Sequence, residues 1–69
     1  MVEVFKTNVQ HEEQSEKIIE KLLQEFPELN INFDLEDCDK ILRVKDLSVP
    51  INEITESLNL EGYRCEILF

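Results

Sequence analysis

Residues 29–36, L-N-I-N-F-D-L-E, constrain the fold most. Leu29, Ile31, Phe33 and Leu35 alternate with Asn30, Asn32, Asp34 and Glu36. Successive side chains of a strand point to opposite faces, so this pattern gives one dry face and one wet face. Such a strand suits an antiparallel sheet covered on one side, because strands of parallel sheets are buried on both faces. The rest of the chain must therefore supply partner strands and an apolar layer to cover the dry face.

The flanking segments supply both. Asp37-Cys38-Asp39 reads as a turn, and residues 40–45 as the return strand. There Leu42 and Val44 face inward, and Arg43 and Lys45 lie outward beside the acids of the preceding strand, a cross-strand charge match. Residues 1–8 form a strand with apolar side chains on both faces, which suits a central position: Val2 and Val4 on one, Phe5, Thr7 and Val9 nearer the other. Residues 63–69 form the last strand, with Cys65, Ile67 and Phe69 on one side.

Two segments have helical spacing. In residues 11–26, Ile19, Leu23 and Phe26 fall at i, i+4 and i+7 and form one apolar stripe. Glu12, Glu13 and Glu16 crowd the first turns, where the helix dipole favours acids. Glu13 and Lys17 form an i, i+4 pair, and Pro27 ends the helix. Pro50 suits the first turn of a second helix, whose stripe is Ile51, Ile54 and Leu58 and whose stop is Gly62. The order βαββαβ predicts an α+β, ferredoxin-like sandwich: a four-stranded antiparallel sheet with two helices on one face.

With 69 residues the chain makes one domain, spanning 1–69. Its 16 acids against 7 bases give a formal charge of −9. Phosphate backbones and anionic membranes would be repelled, so nucleic acid and membrane are excluded as partners. A basic protein partner would be steered toward it. No apolar run is long enough for a transmembrane helix, and residues 1–9 lack the pattern of a secretory signal. Cys38 and Cys65 match no zinc or redox motif, so the expectation is reduced thiols and a cytoplasmic setting.

The spacing of the first loop and helix resembles the heavy-metal-associated domain family, the copper-chaperone-like domains. That family reads M-x-C-x-x-C followed by spaced apolar positions, a proline and a further hydrophobic residue. Ile19, Leu23, Phe26, Pro27 and Leu29 fit that series. Beyond it, I-N-F-D-L from Ile31 resembles the family's V-x-V-D-L strand, with Asp34 at the aspartate. Arg43 to Lys45 resembles the V-x-V strand, and Ile54, Leu58 and Gly62-Tyr63 resemble the L-x-x-A-I-x-x-A-G-Y ending. Phe5 to Val9 is similar to a subgroup whose first strand reads F-K-T-N followed by Ile or Val. Counting back from the helix places the two cysteine positions at Glu12 and Ser15; counting from the strand places them at His11 and Gln14. Neither pair is cysteine. The family's soft-metal chemistry needs two thiolates, and carboxylate, amide and hydroxyl groups are hard ligands. The resemblance thus implies the fold and a degenerate metal site, with no cofactor.

Other constellations each have a plain alternative. His11, Glu12 and Glu13 could hold a borderline metal such as zinc, or could simply be a solvated helix start. Asp34, Glu36, Asp37 and Asp39 lack the glycine and distal glutamate of a calcium loop, and suit a solvated hairpin tip. In this fold His11, Cys38 and Cys65 belong to one end of the sheet, which leaves open a relocated thiolate site. The hairpin and the last strand lie toward opposite edges, however, which separates the two cysteines. His11 is the only histidine and no nucleophile adjoins it, so no enzyme is expected.

If the helices cover Phe5, Ile31, Phe33, Leu42, Val44 and Ile67, then Val2, Val4, Ile41 and Leu68 point to the open face. They form a candidate contact surface, for a protein partner or for a homodimer through the open sheet face. The sequence therefore points to a non-enzymatic binding module with a degenerate metal site, used for protein contact. The alternative is a metal-binding or metal-transfer protein with altered ligands drawn from His11, Glu12, Cys38 and Cys65.

Overall fold

A computed structural model describes residues 1–68. Phe69, which the sequence places on the last strand, lies outside the described residues. The elements are β1 (Val2–Thr7), α1 (Glu12–Glu25), β2 (Asn30–Asp34), β3 (Ile41–Lys45), α2 (Ile51–Leu60) and β4 (Cys65–Leu68). The strands form one sheet in the order β2-β3-β1-β4, with every pairing antiparallel. This is the expected α+β arrangement. The two-faced apolar β1 is central, between β3 and β4.

The core joins both helices to one side of the sheet. Phe5, Leu42, Val44 and Cys65 from the strands pack with Ile18 and Leu22 of α1 and Ile54 and Leu58 of α2. Val9 and Leu29, from the connections, complete it. Among the described residues no helix is long and apolar enough to cross a membrane.

The buried stripe of α1 differs from the expected one by one residue. Ser15, Ile18 and Leu22 are buried, whereas Ile19, Leu23 and Phe26 are half-buried, and of these Leu23 and Phe26 pack against the core. The two sets lie about 100° apart on the helix, within one broad apolar arc. The sequence pattern missed the centre of that arc because it begins with a serine. The Ser15 hydroxyl donates to the Glu12 carbonyl at 2.7 Å, so its burial leaves no bond unmade.

Ile41 is a second correction. Its neighbours Leu42 and Val44 face the helices, so by strand parity it belongs to the open face, as expected. It is nevertheless buried, only 6% exposed. It pairs between Lys6 of β1 and Asp34 of β2, and Asp39 reaches back to Lys6 Nζ at 3.8 Å. Flanked by strands on both sides, it keeps little surface for a partner.

The loops at that end are tied together. The Thr7 amide donates to the Asp39 carbonyl at 3.0 Å, and the Thr7 hydroxyl donates to the Lys40 carbonyl at 2.6 Å. The same hydroxyl accepts from the Val9 amide at 3.2 Å. The Arg64 amide donates to Asn8 Oδ1 at 2.8 Å. At the same end Gly62, with φ of +92°, turns the chain out of α2 and into β4. Its amide donates to the Asn59 carbonyl at 3.0 Å, as helix C-terminal caps do.

Candidate functional site

The first loop ends on His11, the N-cap of α1. Gln14, in the first turn, folds its side chain back: Oε1 accepts from the His11 amide at 3.1 Å and the Gln10 amide at 3.3 Å. This is one half of a capping box, in which a glutamine satisfies amides that the helix leaves free. His11, Glu12 and Glu13 are exposed. The loop chemistry is thus spent on starting a helix.

Among the described residues, one group of potential ligand side chains brings its donor atoms within 4.8 Å of one another: Asp37, Cys38 and Asp39. His11, Glu12 and Cys65 are not part of it. Two of its three members are already engaged. Asp37 Oδ1 accepts from the Asp39 amide at 2.8 Å, and Asp39 pairs with Lys6. Cys38 is exposed and Cys65 is buried. Burial pushes the Cys65 thiol up to about 11, helped by nearby Glu66 and opposed by a hydrogen bond with Thr55. At neutral pH it stays protonated, whereas metal ligation and nucleophilic attack need the thiolate.

The open sheet face keeps three of its four expected apolar residues at the surface. Val2 is 52% and Leu68 40% exposed, and Val4 is half-buried. Val4 pairs with Leu68 across β1 and β4, so the three are contiguous. Lys6, Arg43, Lys45 and Glu66 surround them on the same face. Arg43 pairs across the sheet with Asn32 and lies 4.0 Å from Asp34, the charge match foreseen between β2 and β3. Three of the chain's bases therefore share this face, while Glu12, Glu13, Glu16, Glu20, Glu25, Glu53 and Glu56 lie on the helices.

The sequence did not reveal a groove of about 430 Å³ between the start of α1 and the end of β2. Phe33, Leu35 and Ser15 line it together with Gln10, Glu12, Asp34 and Glu36, the Asp34 carboxylate being the one paired with Arg43. The only hint was that Phe33 and Leu35 continue the dry face past the point where α1 begins above it. No protein-family profile, no curated protein and no solved structure matches the chain.

Proposed function

We propose that this chain is a non-enzymatic protein-contact module of the heavy-metal-associated type, with its metal loop degenerate. The observation that carries the reading is the contiguous apolar patch of Val2, Val4 and Leu68 on a sheet face that no helix covers. Exposed apolar side chains in a charged rim are the usual composition of a contact surface. The loop supports the same reading. Counted from Gln14, the fourth and eighth residues are Ile18 and Leu22, both buried, which favours His11 and Gln14 as the former cysteine positions. Gln14 there serves as a cap and carries no soft donor.

The non-enzymatic part of the proposal draws on three residues. The Ser15 hydroxyl is bonded to the Glu12 carbonyl, Cys65 is held as a thiol, and His11 is the sole histidine. The rival reading, a metal carrier with altered ligands, has Asp37, Cys38 and Asp39 as its support.

A photo-crosslinking amino acid placed at Val2 tests the contact. A discrete heavier adduct in cells is expected from Val2 and none from the control position Asn59, exposed on α2. The same adducts from both positions, or none from Val2, would remove the open face as the contact surface.

A further inference from the structure

β2 is one of the two edges of the sheet, and its single charged residue, Asp34, stands at its end. It pairs on one side with β3 and has no strand on the other. Its five residues contain no proline, no lysine and no left-handed residue. Exposed edges without such protection are templates for another strand. The opposite edge, β4, is four residues long, carries Glu66 at an exposed position and follows Arg64.

The side chains of β2 are also incompletely covered. Ile31 and Phe33 face the core layer but remain half-buried, and Asn30 and Asn32 are exposed on the other face. A fifth strand would bring its own side chains to about 5 Å from these, Cβ to Cβ. Apolar residues at alternate positions would complete the cover over Ile31 and Phe33. At the Asp34 end the added strand would run into the groove, where Phe33 and Leu35 lie beside Glu12 and Glu36. Glu12 and Glu36 are exposed, and neither carboxylate has a cationic partner among the ion pairs of the described residues.

We propose that the β2 edge and this groove dock an extended segment of a partner protein, alternating in apolar residues and ending in lysine or arginine. The inference rests on the reading of the chain as a contact module and adds a surface and a ligand chemistry to it. Backbone pairing along β2 supplies the binding, and the groove carboxylates select for positive ends. A second copy of this chain is the wrong occupant. Two chains of charge −9 repel.

The test uses the peptide Lys-Val-Thr-Val-Thr-Val-Lys, with Glu-Val-Thr-Val-Thr-Val-Glu as its charge control, followed by amide NMR and hydrogen exchange. The lysine-ended peptide is expected to shift residues 30–34 and slow exchange there, and the glutamate-ended one to bind more weakly. In the Glu12→Lys/Glu36→Lys variant the affinity for the lysine-ended peptide should fall about five-fold or more. Glu53→Lys/Glu56→Lys, on α2, should leave it unchanged. Silence of residues 30–34 at millimolar peptide, equal binding of both peptides, or equal losses in the two variants would overturn the inference. So would a peptide-free dimer in sedimentation whose interface includes β2. If β2 stays silent while Val2 still crosslinks, the docking edge is wrong and the contact module stands. If Val2 fails to crosslink while β2 binds, the open face is wrong and the edge stands.

Discussion

Thr7→Val should destabilise this fold far more than a swap of similar shape normally does. The Thr7 hydroxyl bridges two segments: it donates to the Lys40 carbonyl at 2.6 Å and accepts from the Val9 amide at 3.2 Å. Thr7 is 6% exposed and Val9 fully buried. Valine fills the same space but leaves one buried donor and one part-buried acceptor without partners. Each such group costs about 1–3 kcal/mol, so the loss should be about 2–4 kcal/mol. A chain of this length has roughly 3–10 kcal/mol in total, so the loss is a large share. Urea unfolding followed by circular dichroism measures it. With a slope of about 1 kcal/mol/M the midpoint should fall by about 2 M or more at unchanged slope. Thr7→Ser keeps the hydroxyl and loses a methyl group, and should cost about 1 kcal/mol. A Thr7→Val loss below about 0.5 kcal/mol, where ordinary surface changes lie, would refute the latch. So would a Thr7→Ser loss equal to that of Thr7→Val.

Three other expectations follow from single residues. Burial pushes the folded Cys65 thiol up to about 11, above the ordinary 9.0 of a free thiol, so the unfolded chain loses that proton first as pH rises. Stability from this group is full below pH 9 and is lost toward pH 11; over that span wild type should lose about 2–3 kcal/mol more than Cys65→Ala, read from urea midpoints. In native protein at pH 8, iodoacetamide should label exposed Cys38 and spare buried Cys65 until denaturant is added, as read by mass spectrometry. Gly62→Ala should cost about 1 kcal/mol in thermal unfolding, because φ of +92° strains an L-residue although a methyl group there meets nothing within 4 Å.

The elements followed from local pattern, and the departures have local causes. Alternation marked 29–36 as strand, but its ends are trimmed to Asn30–Asp34. The Leu29 amide turns back to the Phe26 carbonyl at 3.2 Å, and the chain past Asp34 enters the hairpin turn. That turn needs Lys40 at φ of +48°, a conformation that sequence signals as glycine or asparagine, so it was visible only as three polar residues. The stripe of α1 was read one residue late because Ser15 is polar and yet buried. The face of Ile41 followed from parity; its burial depends on Lys6 and Asp34, neighbours only through strand pairing. The groove joins Glu12 and Ser15 to Phe33–Glu36, segments separated by a whole helix, and no local pattern encodes it. The exposure of Val2 and Leu68 agrees with their expected place on the face opposite the helices.

The reading of this chain as a contact module rather than a metal carrier divides most sharply on copper. The decisive measurement is a competition titration of Cu(I) against a strong chelator under reducing conditions, on wild type, His11→Cys/Gln14→Cys and Glu12→Cys/Ser15→Cys. Wild type should leave copper with the chelator, because Gln14 is bonded as a cap and Cys65 remains a thiol. His11→Cys/Gln14→Cys should retain one equivalent, since thiolates at a helix start are acidified by its dipole. Glu12→Cys/Ser15→Cys should not, because Ser15 is buried. Stoichiometric copper retained by wild type, and lost in Cys38→Ala or His11→Ala, would contradict the account.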